Sequence, residues 1–148
     1  MPDEKFTDSA IENKEKADKL FSKIQDERVL IFLNTLMNSL NKKAKRVYAV
    51  THEFKYVLPQ GRHCSLFIRP ASYKIDLYFE NFTPADIQRK NSSKKLPLIV
   101  KENTSNPMDQ FRSVIEVNGE WLQTYSDKSN DLIQFIIKLV DNLESYNV

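Results

Sequence analysis

Residues 46–80, RVYAVTHEFKYVLPQGRHCSLFIRPASYKIDLYFE, decide the fold, because apolar and polar positions alternate along them. A period of two is the mark of strands that bury one face and wet the other. The spacing predicts three strands. In the first, Tyr48, Val50, His52, Phe54, Tyr56 and Leu58 face the core, while Ala49, Thr51, Glu53 and Lys55 face away. Pro59-Gln60-Gly61 turns the chain into a second strand over 62–69, with Cys64, Leu66 and Ile68 inward and His63, Phe67 and Arg69 outward. Pro70-Ala71-Ser72 turns it again into a strand over 73–79, with Tyr73, Ile75, Leu77 and Phe79 inward and Lys74, Asp76, Tyr78 and Glu80 outward. Turns this short make the neighbours antiparallel, since a parallel return needs a crossover of a dozen or more residues.

Working outward, the period changes to that of a helix. Ser9 and Glu12 have the spacing of a capping box, which predicts a thin surface helix from about residue 10, with residues 1–9 disordered. Leu30, Leu33, Met37 and Leu40 recur every three or four residues and predict a buried helix over 27–40, closed by the cationic run NKKAKR. Beyond the strands, residues 81–95 read as a polar, flexible loop in which Thr83-Pro84 opens one helical turn. Pro97 demotes 96–101 to an edge strand, and 102–110 reads as a second loop. Asn118-Gly119 between two β-prone runs predicts a type I′ hairpin. A last helix, capped by Ser129 or Asn130, presents Leu132, Phe135, Ile136, Leu139, Val140 and Leu143 on one broad face. The expected fold is α+β: one domain over 1–148, an antiparallel sheet of about five strands packed against N-terminal and C-terminal helices.

Composition removes several functions. Two glycines leave no phosphate-cradling loop, and one cysteine, Cys64, allows no internal disulfide. No apolar run approaches the ~20 residues needed to span a bilayer, and the acidic start is no secretory signal, so a cytoplasmic protein with no membrane partner is expected. Cys64 and His63 are adjacent on a strand and point to opposite faces, which argues against a thiol–imidazole pair; Cys64 and His52 read as core residues. Two histidines and one cysteine do not make a zinc site, and no metal or other cofactor is implied. Glu53-Phe54-Lys55 has the Glu-x-Lys form of a metal-dependent nuclease strand, without the aspartate expected on the strand before it. A metal-dependent nuclease using Glu53 and Lys55 is therefore an alternative function.

The net charge of +2 conceals a segregation. Lys and Arg number six against eight Asp and Glu over residues 1–28, thirteen against four over 29–101, and three against eight over 102–148, or −2, +9 and −5. A basic middle points to an anionic partner, nucleic acid or an acidic protein surface. The residues assigned to a nucleic-acid interface are Lys42, Lys43, Lys45 and Arg46 before the sheet, and Lys55, Arg62, Arg69 and Lys74 on it. Outward Phe67 and Tyr78 would stack on unpaired bases, and Arg89, Lys90, Lys94 and Lys95 extend the charge into the loop. No catalytic residue is assigned. A protein-interaction or homo-oligomeric module using the hairpin tip and the last helix is the other alternative.

The strands YAVTHEFKYV, HCSLFIRP and YKIDLYFEN, a polar segment and the closing helix DLIQFIIKLVDNLE also have a familiar order. Over residues 14–146 the chain resembles a small bacterial domain of unknown function that also occurs at the C-terminus of nuclease-like or transport-related proteins. The resemblance implies a fold and carries no functional residue.

Overall fold

The computed structural model describes residues 11–59, 61–69, 74–80, 82–102 and 111–145. Ile11, Arg69, Lys74, Glu80, Phe111, Arg112 and residues 143–145 are described by backbone alone. In chain order the elements are β1 (Ile11–Glu12), α1 (Lys14–Ser22), α2 (Glu27–Asn41), β2 (Arg46–Ala49), β3 (Glu53–Val57), β4 (His63–Arg69) and β5 (Lys74–Glu80). There follow α3 (Pro84–Lys90), β6 (Ile99–Glu102), β7 (Phe111–Asn118), α4 (Gly119–Thr124), a 3₁₀ turn (Ser126–Lys128) and α5 (Ser129–Ser145).

The strands form one sheet in the order β1-β2-β3-β4-β5-β7-β6, seven where about five were expected. Six are antiparallel to their neighbours, and the two-residue β1 runs parallel to β2 at one edge. Because β5 and β6 both run antiparallel to β7, which lies between them, the β5, α3, β6 path is a crossover that spans β7.

One face of the sheet carries the core. Phe54, Tyr56, Cys64, Leu66, Ile75, Leu77, Phe79 and Ile115 lie there at 1% exposure or less, in a single cluster with Leu33, Leu36, Met37 and Leu40 of α2 and Leu132, Ile136, Leu139 and Val140 of α5. Each such side chain contributes roughly 1.5–3 kcal/mol of burial. Buried side chains of α1, α3 and α4 belong to the same cluster, so the described helices cover one face. Val114, 6% exposed on the other face, stands outside it. The α+β architecture, the buried second helix and the broad face of the last one agree with the sequence pattern.

Four expectations fail, each for a physical reason. The predicted first strand is two: the chain reverses at Thr51-His52, closed by Val50 N donating to Glu53 O at 3.0 Å, and β2 pairs with β3. The reversal flips the parity, so Val47 and Ala49 are buried, Tyr48 faces out and His52 is exposed, not a core residue. Asn118-Gly119 is the start of α4 and not a hairpin. Asn118 Oδ1 accepts from Trp121 N at 2.8 Å, the capping role that competes with turns for asparagine. Gly119 is required for room rather than for positive φ, because a Cβ there would overlap Asp26 Oδ2. The hairpin tip offered for protein interaction therefore does not exist.

At the N-terminal end, Ile11–Glu12 is a strand and α1 begins only at Lys14, with Asn13 as its N-cap; Ser9 and the rest of 1–9 lie outside the described residues. Within 81–95, seven residues form α3, with the full capping box of Thr83 and Asp86 and Pro84 at the first position. That cap and the neighbouring Arg89 hold the Asp86 carboxyl below its ordinary range, the Thr83 amide first and Arg89 second. The edge strand after Pro97 is present as β6.

Candidate nucleic-acid interface

The strand register sorts the assigned residues by place. Arg46, Val57 and His63 stand opposite one another on β2, β3 and β4, with Arg62 just before β4 and Lys42, Lys43 and Lys45 in the link from α2 to β2. Lys45 N donates to Val57 O at 2.8 Å and Leu58 N to Arg62 O at 2.8 Å, which ties the link and the β3–β4 turn into one end of the sheet. Five assigned cations thus form a rim.

Two members of the rim are neutralised. Arg46 makes a double hydrogen bond to Glu12, 2.9 Å from Nε and 2.9 Å from Nη2, and its guanidinium lies 4.6 Å from the Tyr48 ring centre. That pairing holds the Glu12 carboxyl low and raises the Arg46 guanidinium, the hydrogen bond being the main cause in both. Lys43 Nζ lies 2.7 Å from Asp141 Oδ1 and fastens the end of α2 to α5. Lys42 and Lys45 are exposed and Arg62 is half-buried, and none of the three forms an ion pair among the described residues.

The sheet face away from the described helices has a different character, although Ser65, Asp76 and Val114 on it are buried. Across it run Tyr48, Lys55, Ser65, Tyr78, Val114 and Lys101, one per strand, and beside them Glu53, Phe67, Asp76, Glu116 and Ile99. The second row is acidic, which no reading of cations alone anticipates. Glu53 accepts a hydrogen bond from Ser65 and lies 4.0 Å from Lys55 Nζ, while Glu116 accepts from Lys101 at 2.7 Å and from Asn118 at 2.9 Å. His52 stacks on Phe67 with ring centres 5.9 Å apart, and Phe67 meets Tyr78 at 6.3 Å. The aromatic contact holds the outward rings against one another.

By register Arg46, Lys55, Arg69 and Lys74 stand on the same sheet face, where Glu53, Asp76 and Glu116 are interleaved with them. Lys42, Lys43, Lys45, Arg46 and Arg62 share the rim; Lys55, Phe67 and Tyr78 share the mixed face. Arg69 and Lys74 stand opposite each other at the far end of β4 and β5, their side chains outside the described residues. The rim was legible in one respect, since Arg46 and Arg62 each stand at or just before a strand start. What hid it was the Thr51-His52 reversal, which carries no glycine, no asparagine and no positive φ.

Nucleophile and metal chemistry find little purchase. Burial pushes the Cys64 thiol up to about 12, so the thiolate is scarce at neutral pH. Among the described residues no three His, Cys, Asp or Glu side chains gather to hold a metal ion. A groove of about 460 Å³ between α2, α4 and α5 is lined by Ile31, Phe32, Leu122 and Ile133, and its one cation, Arg28, contacts Asp26. It offers no phosphate chemistry. No helix among the described residues is long and apolar enough to cross a membrane. No protein-family model matches the chain, and no curated protein does.

Proposed function

We propose that this chain is a non-catalytic binding module that holds nucleic acid by its phosphates at the basic rim. The observation that carries the reading is the state of Lys42, Lys45 and Arg62: three cations from two chain segments at one sheet end, with no counter-charge among the described residues, beside two others already paired. Lysine and arginine facing solvent in this way release counterions from a phosphate backbone and bind it with little sequence preference. Tyr48, held under Arg46, adds a ring at the border of the rim on which an unpaired base can stack.

Fluorescence anisotropy with labelled single- and double-stranded DNA and RNA at low salt tests this. Binding should weaken as salt rises, and the K42E/K45E/R62E variant should lose affinity together with about 0.7–0.9 of the log–log salt slope per lost phosphate contact. Absence of binding to all four probes, or a triple variant that binds as the wild type does, contradicts the reading.

A further inference from the structure

The loop after α3 carries Lys94 and Lys95, both exposed and neither in an ion pair among the described residues. It is held firmly. Asn91, 6% exposed, donates to Leu96 O at 2.8 Å and accepts from Leu96 N at 3.0 Å, and Lys95 N donates to Asn91 O at 2.7 Å. Trp121 Nε1 donates to Pro97 O at 2.7 Å and anchors the following turn to α4. Lys95 is fixed with φ 55°, a left-handed conformation in which a lysine is uncommon. A cation presented on a fixed loop loses less ordering entropy on binding than one on a mobile loop.

The position of this loop matters as much as its charge. Ile99 stands opposite Glu116, in the row that leads through Asp76 and Phe67 to Glu53, whereas the rim begins at the row of Arg46, Val57 and His63. The loop is thus at the other end of the strands and at the opposite edge of the sheet. From the β2 corner of the rim, five strand spacings and at least four residues of rise come to roughly 25–30 Å, and from Arg62, before β4, three spacings and about five residues of rise come to roughly 20 Å, both beyond the ~8–10 Å over which salt lets charges act together.

We infer that Lys94 and Lys95 form a second phosphate-binding site, separate from the rim, so that one chain holds two nucleic-acid segments at once. This rests on the reading of the rim as a nucleic-acid site. The probe is a hairpin duplex of about 6 base pairs, roughly 20 Å long. Titration calorimetry at low salt should give two hairpins per wild-type chain and one per K94E/K95E chain, the remaining site keeping the rim's affinity. Both lysines are exposed, and an unchanged melting temperature will confirm that the variant folds. In a second readout, a surface-tethered hairpin saturated with wild-type protein should capture a labelled hairpin from solution, and the K94E/K95E protein should not. One hairpin per wild-type chain with no effect of K94E/K95E overturns the second site and leaves the rim standing. No hairpin bound at all overturns both.

Discussion

Beneath α2 and α5, the row Val47, Tyr56, Cys64 and Phe79 is buried to 2% exposure or less. One residue along on the same strands, the row Tyr48, Lys55, Ser65 and Tyr78 mixes rings, a cation and a hydroxyl. The first row is filled by volume and tolerates only side chains that fit. The second is organised by partners: Ser65 with Glu53, Glu53 near Lys55, Phe67 against His52 and Tyr78. The close-packed core belongs to one face, and these polar and aromatic pairs lie on the other. Core positions are therefore poor places to look for function in this chain, even where they hold a cysteine or a tyrosine.

The sharpest way to break that contrast is to truncate two adjacent residues. Leu66→Ala empties a fully buried site and should cost about 2–5 kcal/mol. Phe67→Ala, on the next residue, removes two partly exposed ring contacts and should cost nearer ~1 kcal/mol. Thermal or urea unfolding of the pair decides it, and equal costs would mean that the second face is also core.

High pH probes the covered face without mutation. Cys64 and Tyr56 are both fully buried, and desolvation raises the thiol from 9.0 to about 12 and the phenol well above 10.0. The folded state therefore holds these protons more tightly than the unfolded chain. Their contribution is intact below pH 9 and is lost as the pH climbs from 9 towards 12, at up to ~1.4 kcal/mol per pH unit for each group. Urea midpoints across that range should fall, and Cys64→Ala should flatten part of the fall.

A smaller effect is expected at the helix junction. Gly119→Ala forces Asp26 aside, and with it the cap in which Asp26 Oδ1 accepts from Arg28 N at 2.9 Å. Loss of that cap should cost about 0.5–2 kcal/mol by urea unfolding. The smallest change in stability is expected from Glu12→Ala, because the pair with Arg46 is half exposed on both sides. Its melting temperature should stay near that of the wild type while oligonucleotide affinity rises, since Arg46 is released to join the rim.

Much of this contrast could be read from the chain. Cys64, Leu66, Ile68, Ile75, Leu77 and Phe79 announce their face by alternation, and the helix of residues 27–41 announces its own by spacing. Local signals failed where tertiary contacts chose between two roles of one residue. Asn118-Gly119 suits a hairpin as well as a helix start, and in the fold Asn118 caps α4 while Gly119 lies against Asp26. Thr51-His52 carries no turn chemistry, so the reversal that separates the rim from the mixed face is set by the pairing of β2 with β3. The proposed rim was legible as a list of cations and illegible as a place, because Glu12 and Asp141 reach it from distant parts of the chain.

If the rim is the nucleic-acid site proposed above, binding resides there and not in the mixed sheet face. That placement is tested most directly by salt-titrated anisotropy of one labelled oligonucleotide against three proteins: wild type, K42E/K45E/R62E, and K55E/F67A/Y78A with its folding checked by circular dichroism. The rim variant should lose binding and about 2–3 units of salt slope, while the face variant should keep the wild-type slope. Binding that survives in the rim variant and disappears in the face variant would contradict that placement.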